Sequence, residues 1–474
     1  MAMGLVNNVG ALNAQNNLAR ASNSLNRSIE RLSSGLKVNR GADGPAALVI
    51  SEKQRAQIAG LRQAIDNTEK AVAVVQTAEG ALNEINSLLV KVRGLALDSA
   101  NAGVNDSDAL AANQAEIDNA LDTINRIANN TQFGAKKLLD GSAGRSGVVS
   151  DTDVTFLKAT SDTSAGSYAV NITTQAQRAF VVAGTAQTGN LAAAEILTVN
   201  GVSISLNAGL DRAGVQARIN EFTGQTGVVA ENDTTATTST RLRTTAFGVG
   251  ASVTAISNVV GAATSSGIGT TSVSDAGVDI AGTIGGNAAS GSGAILTGTA
   301  GASKGIKLSI AELSTNLTLS ATGAQGNISI SNNALVFQIG ANRNQTVDVA
   351  IDKINPNGLG VGIANNQFAT LDDIQVTSAA KSQDSLAVID AAINEVTNLR
   401  GTLGAFQQNT LESTANNLRT TLENTVNAES VIRDTDFAQE ISNFTNKQVL
   451  VQAGTSVLSS ANQSSQLILS LLGR

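Results

Sequence analysis

The side chains able to do chemistry in this 474-residue chain are few, and their types narrow the chemistry. There is no Cys and no His. Thiolate nucleophiles, disulfides, cysteine metal sites, imidazole bases and histidine-ligated zinc are therefore excluded, and with them Ser–His and Cys–His catalysis. Carboxylate chemistry with Mg²⁺ or Ca²⁺ remains open. The small acidic group Asp434, Asp436 and Glu440 is better explained by helix capping and salt bridging than by a metal. Gly267-Ile268-Gly269 lacks the strand–turn–helix setting and the Gly-Lys-Ser/Thr of a phosphate loop, so it reads as a plain loop. Asn327-Ile328-Ser329 implies a glycan only in a cell with the matching machinery. No catalytic, metal-binding or cofactor-binding residue is expected, and the chain reads as no enzyme.

Charge and composition remove further classes. The formal charge is −7 and only 2% of residues are aromatic, which argues against nucleic acid as a partner. Residues 1–19 carry no charge, so no basic n-region and no cleavable signal peptide are expected. No run of about 20 apolar residues predicts membrane insertion.

The elements that must position any site fall into three zones, marked by Gly. Residues 1–140 hold 10 of the 45 Gly, 386–474 hold 4, and 141–385 hold 31. The first zone carries Leu18, Leu25, Ile29, Leu32 and Leu36, then Ile58, Leu61, Ile65, Val72, Val75, Leu82, Ile85, Leu89, Val92 and Ala96, a spacing near 3.5 that marks a coiled-coil seam. Gly44-Pro45 opens a helix expected over 45–100. A third helix is expected over 107–129, capped within Asp106-Ser107-Asp108. The last zone repeats the pattern through Leu386, Ile389, Ile393, Val396, Leu403, Leu411, Leu418 and Leu422, and then Leu450, Val457, Ala461, Ile468 and Leu471. No such helix can bury its stripe alone. The predicted fold class is α+β multidomain: a long antiparallel α-helical coiled-coil bundle formed by both chain ends, with a central β-rich insert. Strand runs are predicted at 168–172, 196–206, 307–310, 327–330 and 334–339, with turns at Gly285-Gly286 and Pro356-Asn357-Gly358. The Gly/Ser/Ala density over 260–304 also admits disorder.

The most informative feature is missing charge at both ends. Residues 448–473 have none, yet contain twelve Gln, Ser, Asn and Thr. A solvated helix normally carries a charged face, and a membrane helix would not carry so many amides and hydroxyls. Three placements fit: the core of an ordinary monomer, a membrane surface, or the interior of a polymer. The last fits best, because amides can pair where unpaired charge is costly. Ordering of these ends on assembly is then expected.

Specific motifs carry a resemblance. Arg31-Leu32-Ser33-Ser34-Gly35-Leu36-Lys37-Val38-Asn39, with Ala42-Asp43 and Ala46-Ala47-Leu48-Val49-Ile50, resembles the N-terminal signature of bacterial flagellin. Thr131-Gln132-Phe133 and Lys137-Leu138-Leu139-Asp140-Gly141, then Gln452-Ala453-Gly454-Thr455-Ser456-Val457-Leu458, Ala461-Asn462-Gln463 and Leu469-Ser470-Leu471-Leu472, continue it through both arms. Val215–Asn220 with Gly227–Ala230, Gly282–Gly286 and Phe337–Ala341 resemble motifs of the family's insert. Gly44, where a second Asp or an Asn is usual, and Gly473 depart from the pattern.

The resemblance implies a structural subunit that self-assembles into the flagellar filament for swimming. It also implies export by the flagellar type III apparatus and an extracellular location in the filament. The implied divisions are 1–42, the N-terminal helix of an inner-tube domain; 43–145, half of a helical wall domain; 146–383, a β-rich variable outer insert; 384–432, the other wall half; and 433–474, the C-terminal inner-tube helix. Inter-subunit packing is assigned to Leu5, Leu12, Leu18, Leu450, Val457, Ala461, Ile468 and Leu471. The implied partners are further copies of the chain, an export chaperone, and the filament cap and hook-junction proteins. Residues 89–101 resemble the stretch read by the flagellin-sensing Toll-like receptor, with Lys91, Leu95 and Glu116 at its contact positions. Lys replaces the usual Arg there, losing bidentate hydrogen bonding, so subunit contact is an equally good reading of the same residues. A hook–filament junction-type protein, or a secreted adhesin using the β insert, are the alternative functions.

Overall fold

The computed structural model describes residues 8–101, 103–236, 238–311 and 322–472, with 464–472 as backbone only. Its α-helices are α1 (Val9–Ser34), α2 (Pro45–Ser99), α3 (Ser107–Asn130), α4 (Arg212–Asn220), α5 (Thr223–Thr226), α6 (Ala379–Ala405), α7 (Ser413–Arg433) and α8 (Phe437–Leu472). A π-helical segment, Phe406–Glu412, joins α6 to α7. The chain divides into two compact units. One comprises Met1–Glu69, Gln338–Thr346 and Glu412–Arg474, the other Lys70–Phe337 and Val347–Leu411.

In the first unit, α1 starts at Asn8, whose side chain accepts the Ala11 N–H, and stops at Gly35 in the left-handed conformation (φ 74°), whose N–H returns to the Arg31 carbonyl. These are a side-chain N-cap and a glycine C-cap, the two devices that satisfy orphan helix-end groups. Helices α1 and α8 run antiparallel, as successive contacts show. The Asn8 amide donates to the Ala461 carbonyl (3.1 Å), Lys447 donates to Ser28 Oγ (3.0 Å), and Arg31 lies 3.8 Å from Glu440. A Cβ on Gly454 would lie 3.2 Å from Leu18 Cδ1, so the glycine allows close approach of the two helices. The start of α2 packs on α7: Leu61, Ala64 and Ile65 meet Leu418, Leu422 and Ala341. Arg433–Glu52 (3.0 Å) and Arg419–Glu69 (2.7 Å) flank that contact.

In the second unit, the rest of α2 buries Val75, Ala78, Leu82, Ile85, Leu89, Val92 and Ala96, an unbroken alternation of three and four that keeps one face on the seam. The seam passes through buried Ala71 and Ala78, whereas Val72 is only half-buried. Helix α3 contributes Ile117, Leu121 and Ile124, and α6 contributes Val388, Ile389 and Val396. Asp106 accepts the Ala109 N–H and caps α3. Arg93–Asp390 (2.6 Å) and Arg400–Glu79 (3.7 Å) bridge α2 to α6.

The insert is β. An eight-stranded antiparallel sheet runs in the order Arg145–Val149, Gly323–Asn332, Gly166–Thr174, Ala281–Ile284, Asn287–Ser292, Ile295–Gly298, Lys307–Ile310, Val154–Lys158. Its two edge strands come together: a Cβ on Gly147 would fall 2.6 Å from the Phe156 ring. Tyr168, Val170, Ile172, Ile284, Leu296, Leu308 and Ile328 fill its interior. A second core, with Leu197, Val199, Ile204, Val215, Ile219, Leu242 and Val253, lies under a three-stranded and a four-stranded sheet. The single strand expected over 196–206 is a hairpin of Glu195–Val199 and Val202–Leu206. Asn200 (φ 47°) and Gly201 (φ 84°) make the two-residue turn that this dipeptide favours. The stretch 260–304, for which disorder was one reading, contains strands and buried Ile268, Ile280, Ile295 and Leu296. Pro356-Asn357-Gly358 forms a 3₁₀ turn with Pro at its first position.

Candidate assembly face

Helices α1 and α8 leave much of their apolar surface uncovered. Leu12 (58%), Leu450 (54%) and Val457 (58%) are more than half exposed, and so are Val9, Phe437, Ile441 and Val449. Leu18 and Ala461 are half-buried in the α1–α8 seam. The structure thus splits the predicted packing residues: Leu18 and Ala461 hold the two helices to each other, while Leu12, Leu450 and Val457 point away from that contact. Leu5, and the side chains of Ile468 and Leu471, lie outside the described residues. Val9, Phe437, Ile441 and Val449 join the exposed apolar set without having been singled out, and Ile29, expected in the α1 stripe, is exposed as well. Their signal was a second apolar face on helices whose first face is already used. Each of these side chains is already about half covered, so covering the rest is worth about 1 kcal/mol apiece, and uncovered apolar surface of this extent marks an interaction site.

The acidic group at the start of α8 is structural. Asp436 Oδ1 accepts the N–H groups of Ala438 and Gln439 (3.0 and 3.2 Å). Asp434 accepts from Ser430 Oγ (2.6 Å), and Glu440 is buried beside Arg31. The loop between α1 and α2 closes in the same way, with Asp43 accepting both the Asn39 and Arg40 N–H groups. On α2, hydrogen bonds from Arg55 and then Arg433 hold the Glu52 carboxyl below its usual range. Hydrogen bonding to Asp390 raises Arg93.

Lys91 of α2 and Glu116 of α3 pair directly at 2.7 Å, both near half exposure. Leu95 lies one turn from Lys91 and is half-buried. The three residues assigned to receptor contact therefore sit together, with their two charges already engaged.

Comparison with known proteins places both arms. A profile of the bacterial flagellin N-terminal helical region matches residues 6–144, and one of the bacterial flagellin C-terminal helical region matches 386–472. Similarity extends through the insert. The chain is 31% identical to the flagellin of Clostridium tyrobutyricum over 459 residues, covering 97% of this chain and 99% of that one. It is 32% identical to flagellin A of Vibrio anguillarum, covering 98% of each, and 32% identical to the flagellin of Salmonella muenchen, covering all of each.

Proposed function

This chain belongs to the bacterial flagellin family and is a structural subunit of the flagellar filament, and on that premise we propose that the α1–α8 helix pair is the element buried between subunits. The observation that carries this reading is the exposed apolar set on a helix pair whose outer stretches, 1–19 and 448–473, lack charge. In a polymer interior, leucine and valine gain cover while Gln, Ser and Asn pair with one another, and no charge is stranded. Leu12, Leu450 and Val457 face neighbouring subunits. Leu18 and Ala461 keep α1 on α8. Residues 1–42 and 433–474 then form the inner-tube domain, 43–145 and 384–432 the wall, and 146–383 the outer insert.

The subunit's work is mechanical and it catalyses no reaction. Export proceeds through the flagellar type III apparatus with a chaperone, and growth proceeds beneath the cap on a hook-junction base. The Lys91, Leu95 and Glu116 group is offered to the flagellin-sensing Toll-like receptor on the free monomer; a receptor assay on soluble monomer that stays silent at high concentration excludes this contact.

The assembly reading is tested with Val457→Asp. Val457 is exposed in the single chain, so the variant monomer should melt like the parent. Seeded with short filament fragments, the parent should grow pelletable polymer and Val457→Asp should not, because a charge would be buried at every subunit contact. Normal growth of Val457→Asp, or of a chain lacking 448–474, refutes the placement.

A further inference from the structure

We propose that the π-helical turn Phe406–Glu412 is a yielding joint: the turn at which the long α6–α7 helix opens locally while the buried positions on either side of it stay closed. Along this run Ser382, Ile389, Val396 and Leu403 are buried, each seven residues after the last. Leu411 and Leu418 are also buried, again seven apart. The step between the two sets, from Leu403 to Leu411, is eight. Seven residues return an α-helix to within about 20° of the same face, and eight overshoot it by about 80°. A regular helix would therefore turn Leu403 or Leu411 out of the seam. Both are nevertheless fully buried, because the extra residue is looped into one wide turn between them.

The wide turn cannot migrate without loss. Moved toward the N-terminus, it would bring Gly404 into the place of Leu403. Moved toward the C-terminus, it would bring Thr410 into the place of Leu411. The extra residue is thus held between the two leucines, and the helix bears its cost there. Other features weaken the same stretch. Gly401 and Gly404 stand inside the helix, and a Cβ on either would meet nothing within 4 Å. No packing calls for them, yet glycine weakens a helix relative to alanine. Thr402 Oγ1 donates to the Asn398 carbonyl (2.9 Å), a bond of the kind that bends helices. Gln408 and Asn409 are exposed and Phe406 is only half-buried, so little apolar cover is lost when the turn opens. Local opening is cheapest where buried contacts are fewest. A joint of this kind lets the run 379–433 yield without pulling Leu403 or Leu411 from the seam.

The test is hydrogen exchange on the full-length monomer at pH 7. In the parent, protection factors over 401–412 should be at least tenfold lower than over 386–399 and 414–424. A chain lacking Gln408 returns the step from Leu403 to Leu411 to seven, so an unbroken α-helix keeps both leucines in the seam. It should melt higher than the parent, and protection over 401–412 should rise at least tenfold. A chain lacking Asn417 instead shortens the step from Leu411 to Leu418 to six. It should melt lower, which separates removal of the extra residue from shortening as such. Protection over 401–412 equal to that of its flanks in the parent overturns the proposal. So does a chain lacking Gln408 that fails to fold, melts lower or gains no protection, and so do two deletions that act alike.

Discussion

At the scale of the residue, the insert depends on positions where only glycine fits. Gly267 adopts φ +79°, and a Cβ there would lie 2.0 Å from the Thr185 carbonyl oxygen. The close approach has a purpose: the Gly267 carbonyl accepts the Thr185 N–H (3.2 Å). Next to it, buried Glu195 accepts from Ser257 Oγ (2.6 Å), from the Ser266 N–H (2.8 Å) and from Ser266 Oγ. A buried carboxylate is tolerated when it is hydrogen-bonded in this way. Gly267→Ala would meet the left-handed penalty of about 1–2 kcal/mol and a backbone clash besides. It should destabilise the small β lobe by on the order of 3 kcal/mol, seen as an earlier loss of protection from hydrogen exchange in 180–277. Because assembly is assigned to the α1–α8 pair, seeded polymerisation of the variant should survive below its melting temperature.

At the scale of the element, caps and periods explain what was legible in the sequence. The seam of α2 could be followed from Ile58 to Ala96 because one heptad pattern persists, except that the larger Val72 stood in for its buried neighbour Ala71 and the small Ala78 was passed over. The Asp106 cap could be read because Asp directly precedes the periodic run, and its bond to the Ala109 N–H (2.8 Å) is present. Asp106→Ala should cost about 1 kcal/mol and fray the first turn of α3, read as a lower thermal midpoint and faster amide exchange at 107–110. Other elements were harder to see. The Asn200-Gly201 turn carried a usable signal that the long Val/Ile/Ser run around it obscured. The π-helical turn at Phe406–Glu412 had none in its own residues, since Gln407, Gln408, Asn409 and Thr410 fit a regular helix equally well. The candidate face was half legible: absence of charge marked the right helices, but periodicity could not tell Leu18 and Ala461, turned into the α1–α8 seam, from Leu12 and Val457, turned out. That choice depends on where Gly454 lets the two helices approach.

At the scale of the whole molecule, acid should separate the arms from the insert. Antiparallel pairing of the chain ends is edged by Arg31–Glu440, Arg433–Glu52 and Arg419–Glu69 in one unit and by Arg400–Glu79 and Arg93–Asp390 in the other. Each exposed pair is weak alone, but they recur along the helices. Glu52 is depressed by Arg55 and Arg433; a carboxyl of that kind stabilises the fold above its unfolded pKa and loses its contribution as pH falls through the folded one. The insert and its base hold groups of both signs: against the pull of burial, hydrogen bonds from Arg243 and Arg241 lower Glu231, backbone hydrogen bonds lower Asp233, and Lys304 lowers Asp162. Burial raises the pKa values of Asp352 and Asp384, so these groups bind protons more readily folded than unfolded, and acid favours the folded state through them. Because carboxylate pairs recur along the arm helices while the eight-stranded sheet buries an apolar interior, lowering pH from 7 to 3 should loosen the arms first. Filaments should release subunits, and protection from hydrogen exchange should fall in 45–69 and 413–440 while the eight-stranded sheet keeps its own. Glu52→Gln removes the titrating group and should flatten part of the arms' acid response. Simultaneous loss of protection in arms and sheet would show that the carboxylate pairs do not govern the acid response.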